Sequence, residues 1–139
     1  MYTISEVTDG DIGVLVNYVV DEYEIVSGKK AHKSLPVRVK ASIRLSDVKY
    51  KLCNGAAIIG FFAFDIERDA TIIVSSYFVS REYRDKKKVS YLLVQKFTEV
   101  IMPYSKAIYI PLHKDMVLDN KICKDNKINL EELKRRVKV

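Results

Sequence analysis

Five cations crowd one short segment: Arg81, Arg84, Lys86, Lys87 and Lys88, opposed only by Glu82 and Asp85. Before them runs an apolar stretch, TIIVSSYFVS from Thr71 to Ser80, and after them VSYLLVQKFTEVIM from Val89 to Met102. The first backbone N–H groups of a helix have no intrahelical partner and lie at the positive end of the helix dipole. A basic turn feeding a helix therefore suits a phosphate group. The same composition suits a plain solvated loop, the usual role of a charge run. Both readings stand at this point.

The flanking elements would position such a turn. Ile72, Ile73, Val74, Tyr77, Phe78 and Val79 are β-branched or aromatic, which predicts a strand. Both of its faces are largely apolar, as in a central strand covered on two sides. Val89, Leu92, Leu93, Phe97, Val100 and Ile101 recur at steps of three and four, which predicts a helix ended by Pro103.

This stretch resembles the cofactor-binding core of the GNAT superfamily of acyl-CoA N-acyltransferases. The resemblance lies in Tyr77-Phe78-Val79, then Tyr83-Arg84, then Leu92-Leu93, in the family's order and spacing. Arg84 matches the first position of the family's phosphate-binding turn, while Lys87 and Val89 stand where the family has two small residues. The resemblance implies an α/β fold with a mixed β-sheet flanked by helices. It implies acetyl-CoA or another acyl-CoA as cofactor and an amine as acceptor. The cofactor would be held by Phe78, Val79, Arg84, Asp85, Lys86, Lys87, Lys88 and Val89, with a strand N–H near Phe78 or Val79 on the thioester oxygen. Charge reversal of Arg84 together with Lys87 is then expected to abolish CoA binding without unfolding the chain. Small phage-encoded relatives that have lost acyl transfer are a further class it suggests.

Acyl transfer also needs a base for the amine and an acid for the thiolate. The Thr71 strand holds no carboxylate, so Asp65 and Glu67 on its neighbour are the candidates for the base, through water. The tyrosine that usually supplies the acid in the family is missing after Leu112. His113, whose imidazole titrates near neutrality, takes its place as candidate.

The whole chain of 139 residues suits a single domain spanning 1–139, with a net charge of +6. No apolar run approaches the roughly 20 residues of a membrane span. The opening ten residues lack a signal-peptide pattern. Cys53 and Cys123 form no metal-ligand spacing with His32 or His113, and a reduced, cytoplasmic protein is expected. Lys29, Lys30, Lys33, Arg38, Lys40, Arg44, Lys49 and Lys51 form a basic stretch facing only Asp47, and the C-terminus is basic again. These surfaces suit solubility, or a protein or nucleic-acid partner held without catalysis.

In chain order, Tyr2 and Ile4 suggest an opening strand. A helix follows, capped by Thr8 or Asp9 and stopped at Ser27-Gly28. A basic loop from Lys29 to Leu35 leads to a second helix from Pro36, whose stripe would be Val37, Ala41, Leu45, Val48 and Leu52. A strand over Ala56–Glu67 should pair antiparallel with the Thr71 strand. The next strand, Ala107–Leu112, should lie parallel to it through a right-handed crossover. A capping box at Asn129 predicts a final helix, Leu130–Val137, where the family closes with a β-hairpin.

Overall fold

The structure, a computed structural model, describes residues 1–68, 71–101 and 107–109. Its elements are β1 (Tyr2–Glu6), α1 (Ile12–Ser27), α2 (Ser34–Leu45), β2 (Val48–Asn54), β3 (Ala57–Ile66), β4 (Thr71–Val79), α3 (Lys87–Ile101) and β5 (Ala107–Tyr109). Two 3-10 turns, Asp9–Asp11 and Arg81–Tyr83, lead into α1 and towards α3. The sheet runs β1-β2-β3-β4-β5 in space. Its first four strands are antiparallel, while β5 lies parallel to β4, with Ile73 opposite Tyr109.

The hairpin of β3 on β4 and the parallel pairing of β5 with β4 follow the sequence pattern, the rest of the predicted Ala107–Leu112 strand lying outside the described residues. The second helix does not. It ends at Leu45, and Val48–Asn54 is a strand between β1 and β3. The predicted stripe of Val37, Ala41 and Leu45 faces solvent, with Val37 69% and Leu45 77% exposed, while Leu35, Val39 and Ile43 are buried. In β2 the period is two, not four. Val48, Tyr50 and Leu52 face the α3 side of the sheet, and Lys49 and Lys51 alternate with them. Lys49 Nζ donates to the carbonyls of Arg44 at 2.9 Å and Ser46 at 3.3 Å, closing the C-terminus of α2. Lys51 pairs with Asp11 at 2.6 Å. Neither lysine belongs to a basic helix face.

The sheet separates two cores. On one side α3 brings Val89, Leu93 and Phe97 against Leu52, Phe62, Phe64, Tyr77 and Val79. The Phe97 ring meets Phe62, Phe64 and Tyr77 edge-on at centroid distances of 5.1, 5.9 and 5.6 Å. On the other side α1 and α2 bury Ile12, Leu15, Val19, Leu35, Val39 and Ile43 against Cys53, Ile58, Phe61 and Phe78.

Gly60 opens the way for α3. A Cβ there would lie 3.0 Å from the Phe78 carbonyl oxygen and 3.4 Å from Leu93 Cδ2. At the end of α1, Gly28 takes the left-handed conformation at φ 69° and its N–H returns to the Glu24 carbonyl, as its place in the sequence predicts.

Two residues break the strict alternation of the sheet. Leu52 faces Gly60 and Cys53 faces Ile58, so Ile59 is the extra residue of a bulge in β3. Ala63 faces Ser76 and Phe64 faces Val74, so Ser75 is the extra residue of a bulge in β4. Before that bulge the even positions Ile72 and Val74 face α3, and after it the odd positions Tyr77 and Val79 do. Ser76 and Phe78 are thereby turned to the α1 side.

Candidate functional site

The basic turn joins the end of β4 to α3. Lys86, Lys87 and Lys88 are exposed, as is Asp85. The N–H groups of Val89 and Ser90 close onto the Lys86 carbonyl at 3.1 and 3.3 Å, so the helix begins at the lysines. Lys86 Nζ lies over the Tyr83 ring, 4.8 Å from its centroid, and Lys88 Nζ over Tyr2 at 5.9 Å. Tyr83 is itself fixed by Asn54, whose amide donates to its hydroxyl at 3.1 Å. The side chain of Val89 points away from the turn, fully buried among Leu93, Phe97 and the sheet. A bulkier residue than the family's thus stands at this position without occupying the solvent side.

Arg84 is placed differently from its neighbours. Only 4% exposed, it turns back under the turn. Its Nε donates to the Val79 carbonyl at 2.7 Å, and its guanidinium covers the Phe78 ring at 5.4 Å. Its Nη2 donates to Glu22 Oε1 on α1, while Arg81 Nη2 donates to the other oxygen of the same carboxylate at 2.6 Å. Glu22 is buried, at 3% exposure. The guanidinium at the matched family position is therefore held by the protein itself and ties the turn to α1. Nothing in the sequence singles out Glu22 within its acidic stretch. The one available signal is its phase, three residues after Val19 on the buried face of α1.

Phe78 and Val79 are buried, Phe78 stacked on Tyr18 at 5.0 Å and Val79 in the α3-side core. Neither side chain is available to a ligand, and the Val79 carbonyl is taken by Arg84 Nε. Pairing of β4 with β5 covers Thr71 to Ile73. From Val74 to Val79 that edge of β4 has no strand partner among the described residues, and the Ser75 bulge lies within this span.

Behind the bulge sits a group of serines. Ser75 Oγ donates to the Ala63 carbonyl at 3.0 Å, and Ser46 Oγ donates to the Ser42 carbonyl at 2.7 Å. The two hydroxyls are 3.1 Å apart. Each hydroxyl has one proton, so two of these three contacts can be hydrogen bonds at a time. The group joins the end of α2 to the bulge.

Asp65 lies on β3 opposite Ile73, half-buried at the other end of β4 from the lysine turn. Its Oδ1 accepts the Asp47 N–H at 3.2 Å, and Asp47 Oδ2 accepts the Ile66 N–H at 2.7 Å. Burial, opposed by the bond from the Asp47 backbone, and then the neighbouring charges of Asp47 and Glu67 push its carboxyl above the usual 3.8. Glu67 is exposed just beyond the strand. His113 and the predicted final helix lie outside the described residues.

The raised Asp65 carboxyl has a stability consequence. Folding disfavours its ionised form, so its contribution is fully present below about pH 3.8 and is lost as pH rises through the folded value. Asp65→Asn should therefore raise the unfolding temperature at neutral pH by a few degrees, with the gain vanishing in acid. Asp11 has the opposite sign. Burial opposes its charge, but Lys51 and the Thr8 N–H and hydroxyl outweigh that and hold it below the usual value. Its contribution is present above about pH 3.8 and lost as pH falls through the lower folded value. Unfolding temperatures of the parent, Asp65→Asn and Asp11→Asn, measured from acid to neutral pH, check both signs. An asparagine variant less stable at neutral pH would contradict the first.

No protein-family sequence model matches the chain, and no curated protein sequence does. Solved structures do match its fold. An acetyltransferase of the GNAT family from Staphylococcus aureus Mu50 aligns with a TM-score of 0.66 at 14% identity, over 83% of this chain and 75% of that one. The PaiA N-acetyltransferase from Thermoplasma acidophilum, solved in complex with coenzyme A, aligns at 0.59 and 13%, over 81% and 80%. The ribosomal-protein-S18-alanine N-acetyltransferase from Escherichia coli aligns at 0.59 and 12%, over 79% of this chain. This chain spans 66% of that E. coli protein's length. Among the described residues no helix is long and apolar enough to cross a membrane. The mixed sheet flanked by helices and these alignments agree: the chain has the fold of the GNAT acetyltransferases.

Proposed function

We propose that this chain is an acyl-CoA-dependent N-acyltransferase, with acetyl-CoA the first cofactor to test and an amine as acceptor. The observation that carries the reading is the edge of β4. It is bulged at Ser75, has no strand partner past Ile73 among the described residues, and leads through the Arg81–Tyr83 turn to the lysines that start α3. Bound acyl-CoA would supply an activated thioester.

The residues present fit such a group. Lys86, Lys87 and Lys88 would hold the pyrophosphate with their ammonium groups, at the positive end of the α3 dipole. Val89 leaves that side clear. Backbone N–H groups along the open edge of β4 would bind the thioester oxygen and favour the charge that develops on it. Asp65, whose raised pKa suits proton uptake, would accept the amine proton through water. Glu67, just beyond the strand, would be the alternative base, and His113 is the proposed acid for the thiolate.

The test is thermal unfolding with acetyl-CoA, CoA or ATP. A ligand at 100 times its Kd stabilises the fold by about 2.7 kcal/mol, a visible shift for a domain of this size. Shifts with acetyl-CoA and CoA but not ATP are expected. No shift with either, or an equal shift with ATP, would overturn the reading.

A further inference from the structure

The stripe that sequence periodicity assigns to the core lies on the outside of α2. Val37, Ala41 and Leu45 are all exposed. At about 100° per residue they occupy a band about 80° wide, on the far side of the helix from buried Leu35, Val39 and Ile43. The same projection places Lys33, Lys40 and Arg44 along one border of the band and Arg38 along the other. All four are exposed, and α2 contains no acidic residue.

We infer that this face of α2 is a docking surface for an amphipathic helix of another protein, apolar along its contact line and edged with glutamate or aspartate. Charge complementarity selects this occupant. An apolar line bordered by cations on both sides is the counterpart of an apolar line bordered by carboxylates, the arrangement that pairs helices through seam and flank. The small side chain of Ala41, between Val37 and Leu45, leaves room for a partner's larger one. Nucleic acid would use the cations but has no need of the stripe. A bilayer needs a broader apolar face than a valine, an alanine and a leucine provide, because the other face of α2 is committed to the core. The inference is independent of acyl transfer.

The test uses the full chain and fluorescence anisotropy. The probe is a labelled synthetic helix with leucine at its heptad a and d positions and glutamate on the flanks. The controls are its twin with lysine for glutamate, a short single-stranded DNA, and phosphatidylserine vesicles. The glutamate helix should bind, and the lysine twin should not. Val37→Asp and Leu45→Asp should each weaken binding at least about tenfold. Lys40→Glu with Arg44→Glu should weaken it as much and flatten its salt dependence. The unfolding temperature should be unchanged in every variant, because the sites are exposed. Absent binding, binding indifferent to these substitutions, or equal binding of the lysine twin overturns the inference. Preference for DNA or vesicles overturns it too. A fall in unfolding temperature in Leu45→Asp would mean that the chain itself covers the stripe. Self-association lost in that variant would mean that a second copy does.

Discussion

Glu22→Leu is expected to destabilise the fold by about 3–5 kcal/mol, seen as a fall in unfolding temperature on the order of 10–20 °C. Glu22 is buried and accepts from both Arg81 and Arg84. Removing it leaves the Arg84 guanidinium buried, with the Val79 carbonyl and the Phe78 ring as its remaining contacts among the described residues. Its Nη1 already has no hydrogen-bond partner there. A buried pair is most sensitive to loss of one member, because the other keeps its desolvation penalty without its counter-charge. Replacing both members, Glu22→Leu with Arg84→Met, should recover a substantial part of the loss. A single variant that unfolds within about 3 °C of the parent would mean that the pair is not buried in solution. Recovery in the double variant separates an ionic tie from mere packing. Because Arg84 holds the turn to α1, the single variant should also weaken CoA binding, even at temperatures where it remains folded.

That pair marks the limit of what the sequence could reveal. Long, regular segments were legible. The β3–β4 hairpin, α3 and the parallel strand after it declare themselves through β-branched and aromatic runs and a clear helical period. In α3 that period chose Val89, Leu93 and Phe97, which are buried. The second helix misleads because α2 carries two stripes at a spacing of four, Leu35-Val39-Ile43 and Val37-Ala41-Leu45. Period alone cannot say which one meets the core. The outer stripe then ran on in phase to Val48 and Leu52, hiding the alternation of Val48, Tyr50 and Leu52 with Lys49 and Lys51. Ser46-Asp47 was the break that mattered. The bulges at Ile59 and Ser75 were invisible for a different reason. A bulge is a mismatch in length between paired strands, and it leaves no mark on either strand alone. The chemistry of the turn was legible as charge, but not the division of labour within it. Arg84 and Lys87 look alike on paper, yet one is buried against Glu22 and the other is exposed.

This division redefines the decisive experiment on the cofactor site. Arg84→Glu would place a second carboxylate against Glu22 in a buried position, so the double reversal of Arg84 and Lys87 suggested by sequence should unfold the chain rather than probe binding. Reversal of Lys86, Lys87 and Lys88 to glutamate avoids the problem, since all three are exposed. The unfolding temperature without ligand should change little. CoA affinity should fall at least about 100-fold, because three attractive charges beside the pyrophosphate become repulsive at the positive end of α3. In the parent, affinity should also decline with salt, as expected of exposed charges, and much of that dependence should vanish in the variant. Titration calorimetry with CoA at two ionic strengths measures all of this. If the triple variant binds CoA as the parent does, the lysines are a solvated loop and the cofactor, if bound, is held elsewhere. If it loses CoA while keeping its fold, the lysine turn is the phosphate site, with Arg84 tying it to α1.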